Sequence, residues 1–453
     1  MITSEGTVLS NDEELGRNFI DFKHEEENLH YSNSESGLTD DEFDNSKTID
    51  ILIKVISGLV FFLSISVILL WATYQSANLT FGGPPQSLTL WEEQYREMTG
   101  LDDLNGLDGS GTGVCIVDTG IDANHPDLEH ANIVSWIDLI SGSDSPYDDE
   151  GHGTAMAGII VSKGGLNGVS PGVDLLIAKA ISDDGSGTDD IIADAVDWCV
   201  GEGADIISLS LGGSQGFGSG FFTTDQLEEA VIEAIDSGVF VIAAAGNDGE
   251  DDDGDVESPG SVEDVICVGA VTRTGNAWSG SSEGDNNGRL WPNPILPRQD
   301  PDKKPEIVAP GHEVPILMAS STGSGTWWGW SSGTSAATAW VAGSIAIFLE
   351  ANPEMKRGGT DGGSSAVSEL KTMISENSEM KEGQENHDDI YGYGLLRIDL
   401  LVNGTDNSST ELKKTPKEQE AISFNREHGS NSSQAIRRIT ASVPPLSSTK
   451  DTE

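Results

Sequence analysis

From Gly113 onward the chain alternates short apolar runs of strand length with longer segments of helical periodicity. The predicted strands lie at 114–117, 175–180, 206–211, 239–245 and 265–271. The two clearest helical segments are 189–200 and 225–237, and Gly238 ends the second. Strands that alternate with helices pair in parallel and are covered on both faces. The pattern therefore predicts an α/β fold with a mostly parallel central sheet between two helical layers.

Three polar residues of complementary chemistry lie at the tips of these elements. Asp118 follows the first predicted strand, His152 precedes a helix of small residues, and Ser335 follows Gly333-Thr334 at the start of an Ala-rich helix. An orienting carboxylate, a base and a hydroxyl nucleophile are the parts of a serine-type catalytic site. Taken singly, each residue has an ordinary structural role as a helix cap or a core histidine. Their joint arrangement is what indicates catalysis.

The net charge of the chain argues against nucleic acid as a partner. Its 76 acidic and 24 basic side chains give −52 over 453 residues, which would repel phosphates. Acidity spread over the whole chain is typical of a protein that works in high salt or needs strong colloidal solubility. We therefore expect no nucleic-acid partner.

Residues 51–71 form an apolar run long enough to cross a bilayer as one helix. A cleaved signal peptide is the alternative, but the run starts late, is longer than a signal core and lacks a small-residue cleavage site. Lys47 and Lys54 flank its N-terminal side, and the next basic residue after it is Arg96. The positive-inside rule then predicts a single-pass protein whose N-terminus is cytoplasmic and whose remaining chain is extracytoplasmic.

Composition divides the rest of the chain. We expect a disordered acidic arm at 1–50, the transmembrane helix at 51–72, a linker with a short helix at 73–112, a large domain at 113–403 and a disordered tail at 404–453. Within the linker, Thr89 and Glu92 have the spacing of a capping box. The three cysteines are odd in number and match no metal motif or disulfide framework, so they are interpreted as small buried hydrophobic residues. They are Cys115, Cys199 and Cys267.

Six short motifs occur in one characteristic order. They are Asp-Thr-Gly-Ile-Asp (118–122), Gly-His-Gly-Thr (151–154), Ser-Leu-Gly-Gly (210–213), Ala-Ala-Gly-Asn (244–247), Ala-Pro-Gly (309–311) and Gly-Thr-Ser (333–335). In this order they resemble the subtilisin-like serine proteases, the subtilases, over 113–402. The resemblance implies a subtilisin-like fold, peptide or protein substrates and peptide-bond hydrolysis through an acyl-enzyme.

The resemblance also implies the role of each catalytic residue. Asp118 would be the orienting carboxylate, His152 the general base and acid, and Ser335 the nucleophile. The side-chain amide of Asn247 and the backbone N–H of Ser335 would form the oxyanion hole.

By the same resemblance, two short segments form the walls of the pocket for the side chain before the scissile bond. They are Ser210, Leu211 and Gly212 on one side and Ala244, Ala245 and Gly246 on the other. Glu257 would close the far end, Asp248 would lie at the rim, and the strand at 208–213 would pair with the substrate. A carboxylate there predicts a preference for Lys or Arg. The alternative is that these are solvated acidic residues of a highly acidic chain.

The chain departs from the family pattern in three places. Asp127 matches a calcium ligand of the family, but its partner ligands are not evident, so we predict no required cofactor and leave calcium open. Thr338-Ala339-Trp340 replaces the usual Ser-Pro-His of the serine helix, which predicts altered packing. Residues 73–112 are too few for the folded propeptide that many secreted relatives carry.

Two other functions are alternatives to peptide-bond hydrolysis. The first is a catalytically inactive, membrane-tethered peptide-binding protein on a subtilase scaffold, which would lack at least one catalytic group, whereas all of them are present. The second is nucleotide binding by the glycines at 212–220, which do not form a complete G-x-G-x-x-G pattern opening into a helix. Serine peptidase activity is therefore the function we expect.

Overall fold

The computed structural model describes residues 45–104, 106–212, 226–249, 255–284 and 298–404. The chain divides into two compact units between Gly82 and Gly83. Nearly all of the arm predicted at 1–50 and of the tail predicted at 404–453 lies outside the described residues.

The first unit contains the helix α1, Asn45–Phe81, which includes the predicted span at 51–72 and extends beyond it at both ends. Within it, Lys47–Thr73 is long and apolar enough to cross a membrane and is not buried by the protein. The hydroxyls of Ser64 and Ser66 donate to backbone carbonyls one turn earlier, so they are satisfied inside the helix. The helix thus meets the length and composition requirements of a membrane span.

The second unit is built on a seven-stranded sheet. Its strands are β1 Gly113–Asp118, β2 Asn132–Asp138, β3 Asp174–Lys179, β4 Ile206–Leu209, β5 Phe240–Ala244, β6 Ile266–Val271 and β7 Ile307–Pro310. All neighbours pair in parallel, in the order β2-β3-β1-β4-β5-β6-β7. A short antiparallel hairpin, β8 Val314–Leu317 with β9 Trp328–Ser331, stands apart from the sheet. The predicted α/β class with a mostly parallel sheet is confirmed.

Helices cover both faces of this sheet. They are α3 His152–Val161 and α6 Thr334–Ala351 on one face, and α4 Asp189–Gly201, α5 Gln226–Asp236 and α7 Ser364–Asn377 on the other. Helix α6 packs against α3 and five strands, and it is apolar on nearly all sides because it is buried on nearly all sides. Its first turn, which carries Ser335, thereby emerges at the carboxyl edge of the sheet.

The segment predicted as a linker contains a helix that belongs to the second unit. Helix α2, Gln86–Thr99, follows Pro85 and packs against β8. The predicted capping box is wrong, because the Thr89 hydroxyl donates to the Gln86 carbonyl and the buried Glu92 carboxylate accepts the backbone N–H of Asn167, 2.6 Å away. The Glu92 carboxylate therefore makes a tertiary contact with Asn167 and does not cap the N-terminus of its own helix.

The interpretation of all three cysteines as isolated buried residues is wrong for two of them. Cys115 in β1 and Cys199 in α4 form a disulfide, with Cα atoms 5.9 Å apart. Cys267 is the free cysteine of the described residues and is buried. Helix α4 packs across β1, which brings together two positions separated by 84 residues. The bridge fastens the strand that carries Asp118 to the helical layer behind it.

Candidate active site

The side chains of Asp118 and His152 are joined by a hydrogen bond. Asp118 is the last residue of β1 and its side chain is 3% exposed, and His152 Nδ1 lies 2.8 and 2.9 Å from its two carboxylate oxygens. A carboxylate can only accept, so Nδ1 must carry the proton and Nε2 is left as the basic nitrogen. The His152 side chain is 34% exposed, which makes that nitrogen accessible from the cleft.

The position of His152 depends on the buried carboxylate of Asp148. This carboxylate accepts the backbone N–H groups of Gly151 at 2.7 Å and Thr154 at 2.8 Å, which lie at the N-terminus of α3. It also accepts the hydroxyl of Thr119, the residue after Asp118. Asp148 thus stabilises the helix end and ties it to the end of β1.

The loop after β1 and the N-terminus of α3 approach each other so closely that two motif positions require glycine. A Cβ atom at Gly153 would lie 2.1 Å from the carbonyl oxygen of Gly120. Gly120 itself has φ +116°, and a Cβ atom there would lie 2.0 Å from the carbonyl oxygen of Tyr147. Side chains at either position would separate the loop of Asp118 from the helix of His152.

The pKa of His152 lies above its ordinary value. Burial alone would lower it, but the attraction of Asp118 and the hydrogen bond to it outweigh that effect, and the charges of Glu150 and Asp148 add to the increase. The imidazolium form is therefore stabilised at this position, as a base that must hold a proton during catalysis requires.

Ser335 lies in the first turn of α6 and contacts the end of β4. Its hydroxyl donates to the Ser210 carbonyl at 3.0 Å, and the Ser210 hydroxyl donates back to the Ser335 carbonyl at 3.2 Å. Among the hydrogen bonds of the described residues, none joins Ser335 to His152. The packing of α3 against α6 brings the helix ends that carry these two residues to the same edge of the sheet.

The amide of Asn247 is fixed by the residue before Ser335. Its Oδ1 accepts the backbone N–H of Thr334 at 2.9 Å and the Thr334 hydroxyl at 3.1 Å. With Oδ1 engaged in this way, the Nδ2 group is free to act as a donor, and it has no hydrogen-bond partner among the residues that the structure describes. Asn247 is exposed, so this donor is open to solvent beside Ser335.

The two predicted pocket walls follow the neighbouring strands β4 and β5. Ser210, Leu211 and Gly212 come after β4, while Ala244 ends β5 and is followed by Ala245 and Gly246. Glu257 lies between the walls, because Cβ atoms at Gly212 and Gly246 would come within 1.9 Å of its Oε2 and 2.7 Å of its Cγ. Asp248 is exposed. Gly213, the last residue of the predicted substrate-pairing strand, lies outside the described residues.

Comparison with known proteins decides the family. The model of the Subtilase family matches residues 109–394, well over half of the chain. The chain belongs to the subtilase family. It is 33% identical over 319 residues to Serine protease AprX of Bacillus subtilis (strain 168), covering 66% of this chain and 67% of AprX. It is 34% identical over 301 residues to Subtilisin DY of Bacillus licheniformis, covering 66% of this chain and 93% of that protein.

One solved structure is also similar to this subtilase. It is the crystal structure of a cold adapted subtilisin-like serine proteinase, which has 25% sequence identity and a TM-score of 0.49 and covers 64% of this chain and 90% of that chain. Family membership and the named relatives confirm the predicted enzyme class, a subtilisin-like serine-type endopeptidase.

Asp127, the residue that matches a family calcium ligand, does not fit a calcium site in this subtilase. Its carboxylate accepts the backbone N–H groups of Gly165 at 2.7 Å and Leu166 at 3.0 Å, and the indole N–H of Trp328 at 2.6 Å. Calcium requires several oxygen ligands facing the ion, whereas three N–H donors face this carboxylate. No group of three or more His, Cys, Asp or Glu side chains that could hold a metal ion occurs among the described residues. The N–H groups of Gly165, Leu166 and Trp328 therefore hold the loop that contains Asp127.

Sequence reasoning missed two residues that support the site. Asp148 precedes Gly-His-Gly-Thr in an acidic run, and acidic residues just before a helix are a recognisable capping signal. Lys179, at the end of β3, is fully buried, and its ammonium group donates to the Thr119 carbonyl at 2.7 Å and to Asp149 at 2.6 Å. A lysine at the end of an apolar strand gives no local sign of such a partner, so only the fold reveals it.

Proposed function

We propose that this subtilase hydrolyses peptide bonds through an acyl-enzyme on Ser335. The hydroxyl attacks the scissile carbonyl while His152 Nε2 takes its proton, and the proton then passes to the leaving amine. Asp118 keeps Nδ1 protonated and stabilises the imidazolium. The observation that carries the proposal is the hydrogen bond of His152 Nδ1 to both oxygens of Asp118, at 2.8 and 2.9 Å.

Before attack, the Ser335 hydroxyl must turn from the Ser210 carbonyl toward His152. This needs rotation about the Cα–Cβ bond of one side chain. Catalytic hydrogen bonds of free enzymes are often loose and tighten when substrate binds. The reciprocal pair between Ser335 and Ser210 is thus the resting arrangement of the nucleophile in this proposal.

The oxyanion of the tetrahedral intermediate would be held by two donors. One is the backbone N–H of Ser335, in the first turn of α6, where amides lack intrahelical acceptors. The other is Nδ2 of Asn247, whose amide is oriented by Thr334. We expect Asn247→Ala to lower kcat by about 100-fold to 1,000-fold, the range known for this kind of donor in subtilisin. An unchanged kcat would remove Asn247 from the oxyanion hole.

Covalent labelling tests the proposed nucleophile. A fluorophosphonate probe should label the full chain in detergent micelles, and Ser335→Ala should abolish the labelling. Peptidase activity should fall by about a millionfold in Ser335→Ala or His152→Ala, the loss known for subtilisin itself. Ser332→Ala, three residues away, is the matched control. Equal labelling of Ser335→Ala would end the proposal, and a protein that binds peptide without labelling would support the inactive alternative.

The glycines invoked for nucleotide binding lie largely outside the described residues, in the segment 213–225. Nothing in the described site favours that function over peptidase activity. An increase of the melting temperature on addition of a nucleotide would support nucleotide binding.

We also propose that α1 anchors the protein in a membrane, with the N-terminus in the cytoplasm and the catalytic domain outside. The length of Lys47–Thr73 and the flanking lysines support this, and so does the disulfide between Cys115 and Cys199, because such bonds persist in oxidising compartments. Protease treatment of intact cells should release the catalytic domain. If the catalytic domain is digested only after the cells are lysed, the orientation is the opposite of the one proposed. Secretion of a shortened chain would identify a cleaved signal sequence.

A further inference from the structure

We propose that Lys179 sets the pH range in which His152 acts as a base, by offsetting the negative charge of the carboxylates around the imidazole and by holding the backbone beside them. This inference rests on the proposed peptidase function and concerns the electrostatics of the same site. No hydrogen bond among the described residues joins Lys179 to His152 or Ser335, so Lys179 is a positioning residue and not a catalytic one.

The ammonium group of Lys179 is fully buried and uses all of its donors. It donates to the carbonyl oxygens of Thr119 at 2.7 Å and Ile181 at 2.9 Å, and to the Asp149 carboxylate at 2.6 Å. An ammonium group has three N–H donors, so each one has an acceptor. A buried charge is costly unless it is paired and hydrogen-bonded in this way. The group is therefore fixed in one position by three different segments of the chain.

These three segments carry the catalytic pair or contact it. The first acceptor belongs to the residue after Asp118, and Asp149 lies three residues before His152. Ile181 follows β3, and its backbone N–H donates to the Asp118 carbonyl at 3.2 Å. Lys179 thus fastens the end of β1, the loop before α3 and the end of β3 to one another.

The strand register brings Lys179 to the same level as two acidic strand ends. Asp118, Lys179 and Asp138 end the neighbouring strands β1, β3 and β2, and they are in register. Backbone N–H groups of the following loop contact the Asp138 carboxylate. The ring of Tyr147 lies 5.1 Å from the Lys179 ammonium group. Because the carboxyl ends of parallel strands meet at one edge of the sheet, this cation lies at the edge that carries the catalytic pair.

Four carboxylates belong to the segments next to the imidazole. They are Asp118, Asp148, Asp149 and Glu150. Among the ion pairs of the described residues, Lys179 is the Lys or Arg that contacts any of the four. It therefore offsets a local excess of negative charge.

Other elements packed against α3 and β3 bring no further charge to this place. The first turn of α6 and the strand β8 contain no charged side chain. Asp127, on the short segment 126–128 that contacts α3, accepts N–H groups of another loop. The acidic residues of α4, which packs against β3, are all exposed. The cation and the four carboxylates thus dominate the field at the imidazole.

These charges act on the imidazole in opposite directions. Burial lowers the pKa of His152, but the attraction of Asp118 and the charges of Glu150 and Asp148 outweigh burial and raise it. An imidazole that keeps its proton at neutral pH cannot accept the serine proton. A nearby cation disfavours the imidazolium form. Lys179 therefore limits the increase, so that the resting base is neutral in a useful range of pH.

The pH profile of Lys179→Met tests the proposal. Methionine is also long and unbranched but has no charge. We expect the acid limb of kcat/KM to move up by about 0.5 pH unit, which is about a threefold loss at a fixed pH on that limb. The full chain in detergent micelles cleaves a peptide without charged side chains. An equal loss at every pH, with the limb in place, would show a purely structural role and overturn the proposal.

Asp149→Asn changes the same ion pair in the opposite sense. Asparagine keeps an acceptor for the ammonium group and removes the negative charge, so the acid limb should move to lower pH. Combining both substitutions should bring the limb back toward its original position, because the two changes of charge cancel. If Lys179→Met does not fold, Asp149→Asn decides alone, since an unmoved limb in that variant contradicts the proposal.

Two exposed residues provide the controls for net charge. Lys163 follows the far end of α3, and Asp197 lies on the exposed side of α4. Lys163→Met and Asp197→Asn make the same changes of charge and should leave the limb in place. Equal shifts in these variants would assign the effect to net charge and not to Lys179.

Fluorophosphonate labelling of Ser335, measured over the same pH range, separates the two proposals. Labelling also needs a neutral His152, so its rate should follow the same limb. A labelled enzyme whose limb ignores both substitutions overturns the inference alone. A protein that neither labels nor cleaves the peptide at any pH contradicts the peptidase proposal on which the inference rests.

Discussion

The indole of Trp340 packs edge to face against the ring of Tyr95, with the ring centroids 6.0 Å apart. Trp340 stands in α6, five residues after Ser335, where the subtilase pattern usually has histidine. Tyr95 belongs to α2 and is fully buried, and its hydroxyl donates to the His312 carbonyl. The unusual residue of the serine helix is thus matched by a helix that precedes the catalytic domain, so α2 is part of the core.

Truncation of Tyr95 tests this role of α2. We expect Tyr95→Ala to cost about 3–5 kcal/mol of stability, since it removes a fully buried aromatic side chain. Leu90→Ala is the control, because Leu90 lies on the same helix and is 50% exposed. The melting temperature of the full chain is the measurement. Equal melting of the two variants would show that α2 contributes little to the core.

Glu92 gives α2 a dependence on pH. Burial raises the pKa of Glu92 to about 7, although the hydrogen bonds from Asn167 oppose this. The folded state therefore holds the proton more tightly than the unfolded state, so stability is lost as the pH rises from the ordinary pKa of 4.5 to about 7, and the full loss is present above about 7. Glu92→Gln keeps an acceptor for the Asn167 N–H. We expect it to raise the melting temperature at pH 8 and to leave it nearly unchanged at pH 4, where both states are protonated. A destabilised variant at pH 8 would contradict this account.

The pH dependence of catalysis tests the electrostatics around His152. The imidazole must be neutral to accept the Ser335 proton, so kcat/KM should fall as the pH drops through the raised pKa of His152. Glu150→Gln removes one of the charges that raise this pKa and should move the acid limb to lower pH. The measurement uses a peptide substrate without charged side chains, so that substrate charge does not contribute. A limb that stays in place would show that Glu150 does not act on the imidazole.

The disulfide can be mapped by alkylation and mass spectrometry. Denatured, unreduced protein should carry one label, on Cys267, and reduced protein should carry three. Replacing both Cys115 and Cys199 by alanine should cost about 2–5 kcal/mol of stability. Cys267→Ala leaves the bridge intact and serves as the comparison. Three labels without reduction would exclude the bond.

High salt should stabilise the protein. Repulsion within a chain of net charge −52 opposes the compact state, and added ions shorten the range of this repulsion from about 10 Å at 0.1 M to about 3 Å at 1 M. Fully buried pairs such as Lys304 with Glu306, 2.8 Å apart, are much less affected. The melting temperature should therefore rise between 0.1 M and 1 M KCl. A constant or falling value would show that surface repulsion does not limit stability.

The sequence was most informative where local pattern and tertiary structure agree. The five predicted strands occur with ends shifted by at most two residues, because each is a buried apolar run. Strand β2 was missed because it lies at the sheet edge with alternating exposure, and β7 because only four residues pair. For Asp118 and His152, the motifs indicated the partnership that the structure shows as a hydrogen bond.

Other features depend on contacts that no local pattern contains. The bond between Cys115 and Cys199 requires α4 to cross β1, and an odd number of cysteines at irregular spacing gives no sign of it. The spacing of Thr89 and Glu92 predicts a helix cap because a Glu carboxylate at that position normally reaches its own helix end, yet here it accepts the backbone N–H of Asn167. Asp127 matches a family calcium ligand by its motif, and only the fold reveals the three N–H donors that contact its carboxylate.

The disulfide closes a covalent ring of chain from Cys115 to Cys199, and both Asp118 and His152 lie inside it. The exposed residues 183–190 lie inside it as well. A peptidase at high concentration is exposed to its own activity, and exposed loops are where chains are nicked first. A single cut in this loop would open the ring without releasing a fragment, because the bridge still joins the two pieces. Asp118 and His152 would then remain covalently attached to the part of the chain that carries Ser335 after self-cleavage.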